Sequence, residues 1–287
     1  MNREAELSLD RIVRGSSLGR LIARICFSVL VLVLLGPFFV MLSTAIASNR
    51  AVVAIPPTWL PDQIAFSNFR EAFTVIPLSR YFLNSGIIAG GATALNAIAA
   101  VPAAFALARL RFRGRRAFLI FIIATQMISP VVLLIASFKL MLVLHLLNTY
   151  WALILMDGTI SLPITIWILT AYFSLIPQEV QDAATLDGVR AWRMLKDHFV
   201  PLGVPGIVTA LIFSFVIAWN EFVFALTFIT NPTMRPLTTG IYAFMGQSQI
   251  QWNYLMAASL LAIIPVFVIF LIVQKQLASG LSAGAVK

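Results

Sequence analysis

Long apolar stretches alternate with short polar connections along the whole chain. A helix needs about 20 apolar residues to cross a hydrocarbon core of about 30 Å. Six stretches meet this length, with predicted bounds at 22–47, 81–108, 117–144, 150–173, 204–230 and 253–274. The pattern predicts an all-α integral membrane protein with six transmembrane helices. Residues 1–20 precede the first helix, and 21–287 form one membrane domain.

Composition agrees with burial in lipid. Hydrophobic residues make up 60% of the 287-residue chain and charged residues 11%, whereas soluble domains carry about 25% charged residues. The net charge of +9 first suggests nucleic-acid binding. However, the basic residues lie in short clusters between apolar runs, as membrane topology requires. We therefore expect membrane lipid, and no nucleic acid, as a partner.

The distribution of Lys and Arg predicts the orientation. If the N-terminus is cytoplasmic, the inner segments hold fifteen basic residues: five in 1–24, five in 109–116, three in 174–200 and two in 275–287. The outer segments hold four, namely Arg50, Arg70, Arg80 and Arg235. Basic residues concentrate on the cytoplasmic side of membrane proteins, so both termini are expected inside.

A cleaved signal peptide is the alternative for the N-terminal stretch, because Ala45-Ile46-Ala47 resembles a cleavage site. The apolar run from about Ile25 to Met41 is longer than the usual 7–15 residues of such peptides. We therefore expect the first helix to remain attached.

Catalytic and metal-binding chemistry has little support in the sequence. Cys26 is the single cysteine, and His145 and His198 are far apart without a ligand pattern. No lysine follows a glycine, so a Gly-Lys-Ser/Thr phosphate-binding loop is absent from the sequence. We expect no catalytic residue, no metal site and no cofactor in this chain.

The segment 176–207 is polar between two strongly apolar stretches, and it falls in the cytoplasm in the predicted orientation. Pro177 suits the first turn of a helix, and Asp187-Gly188 is a turn signal that ends it. A second short helix is expected over 190–199, ended by Pro201 and packed on the membrane bundle through Trp192 and Leu195. The simplest interpretation of such a hairpin is a solvated surface connector.

Polar residues inside predicted spans are candidates for a pore or gate. Glu221 is the acid we single out, because acids at membrane depth are costly and usually face other helices or water. It can line the pore, or it can hold the helices together through hydrogen bonds, and the sequence leaves both open. The pore or gate candidates are Asn220, Glu221, Gln126 and Ser129.

The run Glu179-Val-Gln-Asp182-Ala183-Ala184-Thr-Leu-Asp187-Gly188, followed by Phe199-Val200-Pro201, resembles the EAA loop of ABC-importer permeases. Asp182 replaces the usual Glu, and Val200 replaces the usual Leu. The segments Ala218–Phe222, Trp59–Phe69 and Gly280–Lys287 resemble the carbohydrate-uptake, maltose-type branch of the family.

This resemblance implies a permease subunit of the bacterial cytoplasmic (inner) membrane that imports a sugar-like solute. It implies a second permease subunit, a different chain in this branch, together with a dimer of ATPase subunits and an extracytoplasmic solute-binding protein. ATP and Mg would be bound by the ATPases. The implied ATPase-coupling residues are Glu179, Asp182, Ala183, Ala184, Asp187 and Gly188, with the two alanines packing in a groove of the ATPase. The tail beyond Gln274 would extend toward the ATPases without strong helix signals.

Two other classes compete with this interpretation. An ion-coupled secondary transporter would favour internal repeats and several buried charges. A membrane enzyme would need paired carboxylates or a nucleophile with its base. The sequence shows neither pattern, and it leaves the identity of the solute open.

Overall fold

A computed structural model describes residues 17–54, 61, 63–246 and 250–285 of the chain, which are helical apart from short connections. The α-helices are α1 (Ser17–Ile46), α2 (Asn49–Val52), α3 (Ser67–Val75), α4 (Leu78–Arg109), α5 (Arg115–Thr125), α6 (Leu134–Val143), α7 (Tyr150–Leu175), α8 (Gln178–Leu186), α9 (Ala191–Met194), α10 (Val200–Trp219), α11 (Val223–Phe228), α12 (Leu237–Ile241) and α13 (Trp252–Ala285). A π-helical turn (Leu195–Phe199) joins α9 to α10, and two 3₁₀ turns (Pro232–Met234 and Tyr242–Met245) flank α12. Residues 1–16 of the predicted N-terminal segment 1–20 lie outside the described residues, and so do Trp59, Leu60, Asp62 and the last two residues, 286–287, of the segments that carry the resemblance.

Five helical stretches in this part of the chain are long and apolar enough to cross a membrane: Ala23–Ile46, Leu78–Arg109, Tyr150–Leu175, Ala191–Trp219 and Trp252–Gln274. Helices α4, α7 and α10 make the most extensive contacts with one another and form the centre of the bundle. Small residues allow this approach, since a Cβ added at Gly91 would lie 2.7 Å from the Ile154 side chain. The outer helix α1 packs against α13 and exposes most of its apolar side chains.

The predicted third span, 117–144, is not one helix. Helix α5 ends at Thr125 after 11 residues, and α6 starts at Leu134 and has 10 residues. Turns around Pro130 separate them, because proline lacks the N–H that a continuous helix would use and disfavours helical backbone at Ser129. The described residues therefore contain five long apolar helices and one broken pair, rather than six continuous spans.

The predicted fifth span, 204–230, also differs at both ends. The helix begins earlier and runs through Pro201, because the π turn bonds the N–H of Val200 to the carbonyl of Leu195 and Pro201 lies in the first turn of α10. It ends at Trp219, and a separate helix, α11, follows. The expectations that Pro201 ends a helix and that Glu221 lies within one are therefore wrong.

The remaining long helices extend past the predicted bounds. Helix α1 begins at Ser17 rather than 22, and α4 begins at Leu78 rather than 81. Helix α13 continues to Ala285, so the tail beyond Gln274 is helical despite its small residues.

Candidate functional site

Helix α8 carries the residues that the resemblance marks for ATPase coupling. The helix begins directly after Pro177 and ends at Leu186. The backbone reverses at Gly188, whose φ is +67°, in the left-handed region that favours glycine. The N–H of Val189 then donates to the carbonyl of Ala184 at 3.0 Å, and the N–H of Gly188 to that of Thr185 at 3.0 Å. These bonds satisfy carbonyls at the helix end, as in a Schellman-type cap.

One face of α8 points away from the bundle. Glu179, Asp182, Ala183 and Leu186 are all exposed, and their spacing of three and four residues places them on one side of the helix. Leu186 is 89% exposed. An apolar side chain so exposed, beside two acids, suits contact with another protein more than solvation alone. Sequence reasoning missed Leu186, although its i+3 spacing from Ala183 is a detectable signal.

The two alanines of the motif have different environments. Ala183 is exposed, whereas Ala184 is 1% exposed and packs with Phe173, Met194 and Phe199 inside the chain. The expectation that both alanines form the partner-facing surface is therefore wrong for Ala184. The reason is the helical phase: successive residues are turned about 100° apart, and this turn places Ala184 against the bundle while Asp182 and Ala183 stay on the exposed side.

Arg109, the last residue of α4, attaches the start of this segment to the bundle. Its Nη2 donates to the carbonyl of Phe173 at 2.6 Å and also to that of Ile176, and its Nη1 donates to Gln178 Oε1 at 3.0 Å. Its guanidinium also lies over the Phe199 ring, 5.1 Å from the centroid. These bonds satisfy carbonyls at the end of α7 and position the first turn of α8. The sequence marks Arg109 only as one base of a cluster, so this role was not predictable from spacing.

The second part of the cytoplasmic segment only partly matches its prediction. Leu195 is 3% exposed and belongs to the same apolar cluster as Phe199. Trp192, expected to pack on the bundle, is 67% exposed. It lies on α9 next to Ala191 and Arg193, which are also exposed.

The pore candidates Asn220 and Glu221 lie in the break between α10 and α11. The Glu221 carboxylate accepts hydrogen bonds from the backbone N–H groups of Phe224 at 2.7 Å and Ala225 at 2.9 Å, and so caps α11. Its backbone carbonyl accepts from Thr238 Oγ1 at 2.6 Å. Asn220 is exposed and donates to the carbonyl of Val216 at 2.8 Å. Both side chains thus form hydrogen bonds that stabilise the backbone at the break between α10 and α11.

Gln126 and Ser129 lie in a different break, the one between α5 and α6, and both are exposed. Gln126 lines a cleft of about 410 Å³ whose other walls are mostly apolar, including Phe121, Ile122 and Pro163. Neither Asn220 nor Glu221 lines this cleft. The structure therefore places the four candidates in two separate breaks.

A buried polar network joins the three central helices. Asn96 donates through Nδ2 to Ser161 Oγ at 2.7 Å and to Ser214 Oγ at 2.8 Å. Ser161 Oγ in turn donates to the carbonyl of Asp157 at 2.6 Å. All three network side chains are 1% exposed or less. Asn96 thus joins the three central helices through hydrogen bonds.

Asp157 is the acid that the sequence-based selection missed. It lies in α7, is 1% exposed, and neither of its carboxyl oxygens has a hydrogen-bond partner among the described residues. Asp157 could have been found from the sequence, because it is an acidic residue inside the predicted span 150–173. Burying a carboxyl without hydrogen-bond partners costs free energy of folding, so replacing Asp157 tests whether this acid serves transport.

Comparison with known proteins assigns the family. Residues 100–283 match the family described as "Binding-protein-dependent transport system inner membrane component". This match covers more than half of the chain, and the chain belongs to this family. With its long apolar helices, it is a multi-pass permease subunit of the bacterial inner membrane. Family membership does not favour the ion-coupled secondary transporter.

Individual relatives are similar over almost their whole length. The sulfoquinovosyl glycerol transport system permease protein SmoH of Agrobacterium fabrum is 37% identical over 269 residues, 94% of each chain. The trehalose/maltose transport system permease protein MalG of Thermococcus litoralis is 31% identical, over 96% of this chain and 99% of its own. A bacterial ABC transporter that imports alginate has the same fold, with a TM-score of 0.76, 23% identity, and coverage of 91% of this chain and 98% of the other.

Proposed function

We propose that this chain is one of two pore-forming subunits of an ABC importer for a sugar or sugar-like solute. Relatives that share nearly the whole length are named for a sulfoquinovosyl glycerol, a trehalose/maltose and a diacetylchitobiose transport system. These names agree on carbohydrate-like solutes but differ in size and charge, so the class of solute is proposed and not its identity. The subunit crosses the membrane without catalysing a reaction itself.

The membrane arrangement we propose has six crossings, with the broken pair α5 and α6 making the third and both termini in the cytoplasm. It is supported by fifteen basic residues in the segments that this orientation places inside. The proposed partners are a second permease subunit of a different chain, two ATPase subunits and an extracytoplasmic solute-binding protein. ATP and Mg belong to the ATPases, because this sequence has no phosphate-binding loop.

The observation that carries the proposal is the exposed face of α8. Glu179, Asp182, Ala183 and Leu186 form an acidic and apolar surface on a helix that is attached to the bundle by Arg109. In the proposed orientation this surface faces the cytoplasm. Leu186 would enter an apolar depression of the ATPase, and the carboxylates would meet bases at its rim. Gly188, with Asp187, sets the direction in which the helix leaves the bundle. Closure of the ATPase pair would then move α8 and, through Arg109, the end of α4.

A cysteine cross-linking series tests this proposal in the assembled importer, after replacement of the exposed native Cys26 by serine. We expect Cys introduced at Ala183 or Leu186 to cross-link to an ATPase subunit. Cys at Ala184 or Leu195 should not, because these side chains are 1% and 3% exposed. Equal cross-linking from 183 and 184, or none from any position, would contradict the proposed contact. Failure of the purified chain to recover any ATPase subunit would contradict the ABC-importer assignment itself.

A further inference from the structure

The loop between α4 and α5 carries basic side chains that the coupling site does not use. The guanidinium of Arg109 already donates hydrogen bonds to the carbonyls of Phe173 and Ile176 and to Gln178. By contrast, no hydrogen bond or ion pair occupies the guanidinium of Arg111, Arg113, Arg115 or Arg116 among the described residues. Four unpaired cations within six residues repel one another, so the loop is a site where an anion would be stabilised.

This loop also lines a cleft, and part of the lining is apolar. Arg115 and Arg116 line a cleft of about 510 Å³ together with Phe112, Gly114 and Leu119. Phe112 is 45% exposed. The helix that follows, α5, exposes further large apolar side chains, namely Phe118, Ile120, Phe121 and Ile123. Cationic and apolar surfaces therefore lie side by side where α4 ends and α5 begins.

No acid lies near this loop in the sequence, and none of the described acids forms an ion pair with it. No Asp or Glu occurs between Glu71 and Asp157, and Asp157 is buried within the bundle. Among the acids of α8, Asp182 accepts a hydrogen bond from Gln178 Nε2 at 3.3 Å rather than from an arginine of the loop. Topology alone explains why the bases are cytoplasmic, but it does not require them to line a cleft beside exposed aromatic side chains.

We propose that the loop 110–116 binds the phosphate headgroup of an anionic phospholipid of the inner leaflet. Arginine matches phosphate oxygens with two parallel N–H donors, and clusters of bases next to a membrane helix attract anionic headgroups. The exposed side chains of Phe112 and Phe118 would contact the acyl region while the guanidinium groups hold the phosphate. A lipid, rather than free phosphate, accounts for both surfaces. The inference rests on the proposed cytoplasmic location of the loop.

The test measures lipid retained by the full-length chain in its assembled importer. The complex is purified in detergent, incubated with equal amounts of phosphatidylglycerol and phosphatidylcholine, and analysed by native mass spectrometry. The variant R111Q/R113Q/R116Q removes three of the unpaired cations. The matched control R190Q/R193Q/K196Q removes three exposed cytoplasmic bases from α9 and its surroundings. The variant R111K/R113K/R116K keeps the charge and the membrane orientation but loses the paired donors.

We expect the wild type to retain phosphatidylglycerol over phosphatidylcholine by at least about tenfold, since each base near an anionic headgroup contributes roughly fivefold. The Gln variant should lose this preference, the Lys variant should keep part of it, and the control should keep all of it. Equal loss in the control would show a general charge effect and overturn the site. Displacement by millimolar inorganic phosphate, without preference between the two lipids, would assign the loop to a soluble anion and also overturn it.

Failure of this proposal is distinguishable from failure of the proposed function. Cross-linking from positions 183 and 186 to the ATPase does not depend on lipid retention by the loop. A complex that cross-links as expected but shows no preference for phosphatidylglycerol would overturn the lipid site alone.

Discussion

Arg109 at the end of α4 donates a 2.6 Å hydrogen bond to the backbone carbonyl of Phe173, near the end of α7. The same guanidinium reaches Gln178 at the start of α8. A central membrane helix is thus joined directly to the segment proposed to contact the ATPase. A rigid connection of this kind is what would carry movement between the two regions.

Replacing Arg109 should uncouple transport from ATP hydrolysis. In Arg109→Ala the bonds to Phe173, Ile176 and Gln178 are lost, and α8 is no longer held at a set angle to the bundle. We expect transport to fall at least about tenfold, since hydrogen bonds to charged groups contribute about 1.5–3 kcal/mol. ATPase activity without solute should persist. Measurement of both activities in vesicles checks this, with Arg190→Ala, an exposed base without these bonds, as the control. A proportional fall of both activities would contradict a positioning role.

Gly188 is expected to tolerate only residues that adopt a positive φ. Gly188→Ala places a Cβ on backbone at φ +67° and should destabilise the end of α8 by about 1–2 kcal/mol. Gly188→Asn should cost less, because asparagine enters this region more readily. Cross-linking from position 183 should weaken in the same order. The control is Gly86→Ala, where an added Cβ meets nothing within 4 Å. An equal effect of Ala and Asn at position 188 would argue against a conformational cause.

Glu221 is expected to act chiefly as a cap. Glu221→Ala leaves the N–H groups of Phe224 and Ala225 without an acceptor and should cost about 0.5–2 kcal/mol of stability. Glu221→Gln keeps one oxygen and should cost less. We expect transport by the Gln variant to remain near that of the wild type while its melting temperature falls. Normal stability with abolished transport would instead indicate a pore or gate.

Asp157 should be replaceable with a gain in stability. Its two carboxyl oxygens are buried without donors among the described residues. Asp157→Ala removes the buried carboxyl together with its unmet hydrogen bonds, so the melting temperature should rise, with about 1–3 kcal/mol of desolvation relieved. Asp157→Asn should gain less, because its amide is left without partners. Ser161→Ala is the matched change in the adjoining network and should lower stability, because it removes a bond partner of Asn96. A rise in stability together with loss of transport would show that Asp157 is retained for function.

Acid should weaken one contact between α3 and α13. Tyr254 Oη donates to Glu71 Oε2 at 2.7 Å, and this bond, with one to Ser67, lowers the pKa of Glu71 below its ordinary 4.5. A lowered pKa in the folded protein means that the stabilisation is present above pH 4.5 and is lost as the pH falls through the lowered value. Tyr254→Phe should therefore melt earlier than the wild type at neutral pH, and the difference should shrink in acid. A difference that is independent of pH would point to packing instead.

The amino-acid sequence by itself determined the helical class, the family and the turn at Asp187-Gly188. These properties follow from local patterns. Apolar length decides whether a segment is stable in lipid, and a glycine after a helical run allows the positive φ that ends it. Pro130 lies where 117–144 is split, but Pro102 and Pro163 lie inside continuous helices, so a proline in an apolar span does not by itself predict a break.

Only the tertiary structure decided which groups face inward and which are free. It turned Ala184 into the bundle and left Ala183 and Leu186 exposed, because the phase of α8 depends on contacts with Phe173 and Phe199. It made Glu221 a cap, buried Asp157 without a donor, and gave Arg109 a role distinct from the four other arginines of its cluster. Partners of these groups lie more than 60 residues away in sequence, as Phe173, Ile176 and Gln178 do from Arg109. Spacing along the chain does not encode such distant contacts.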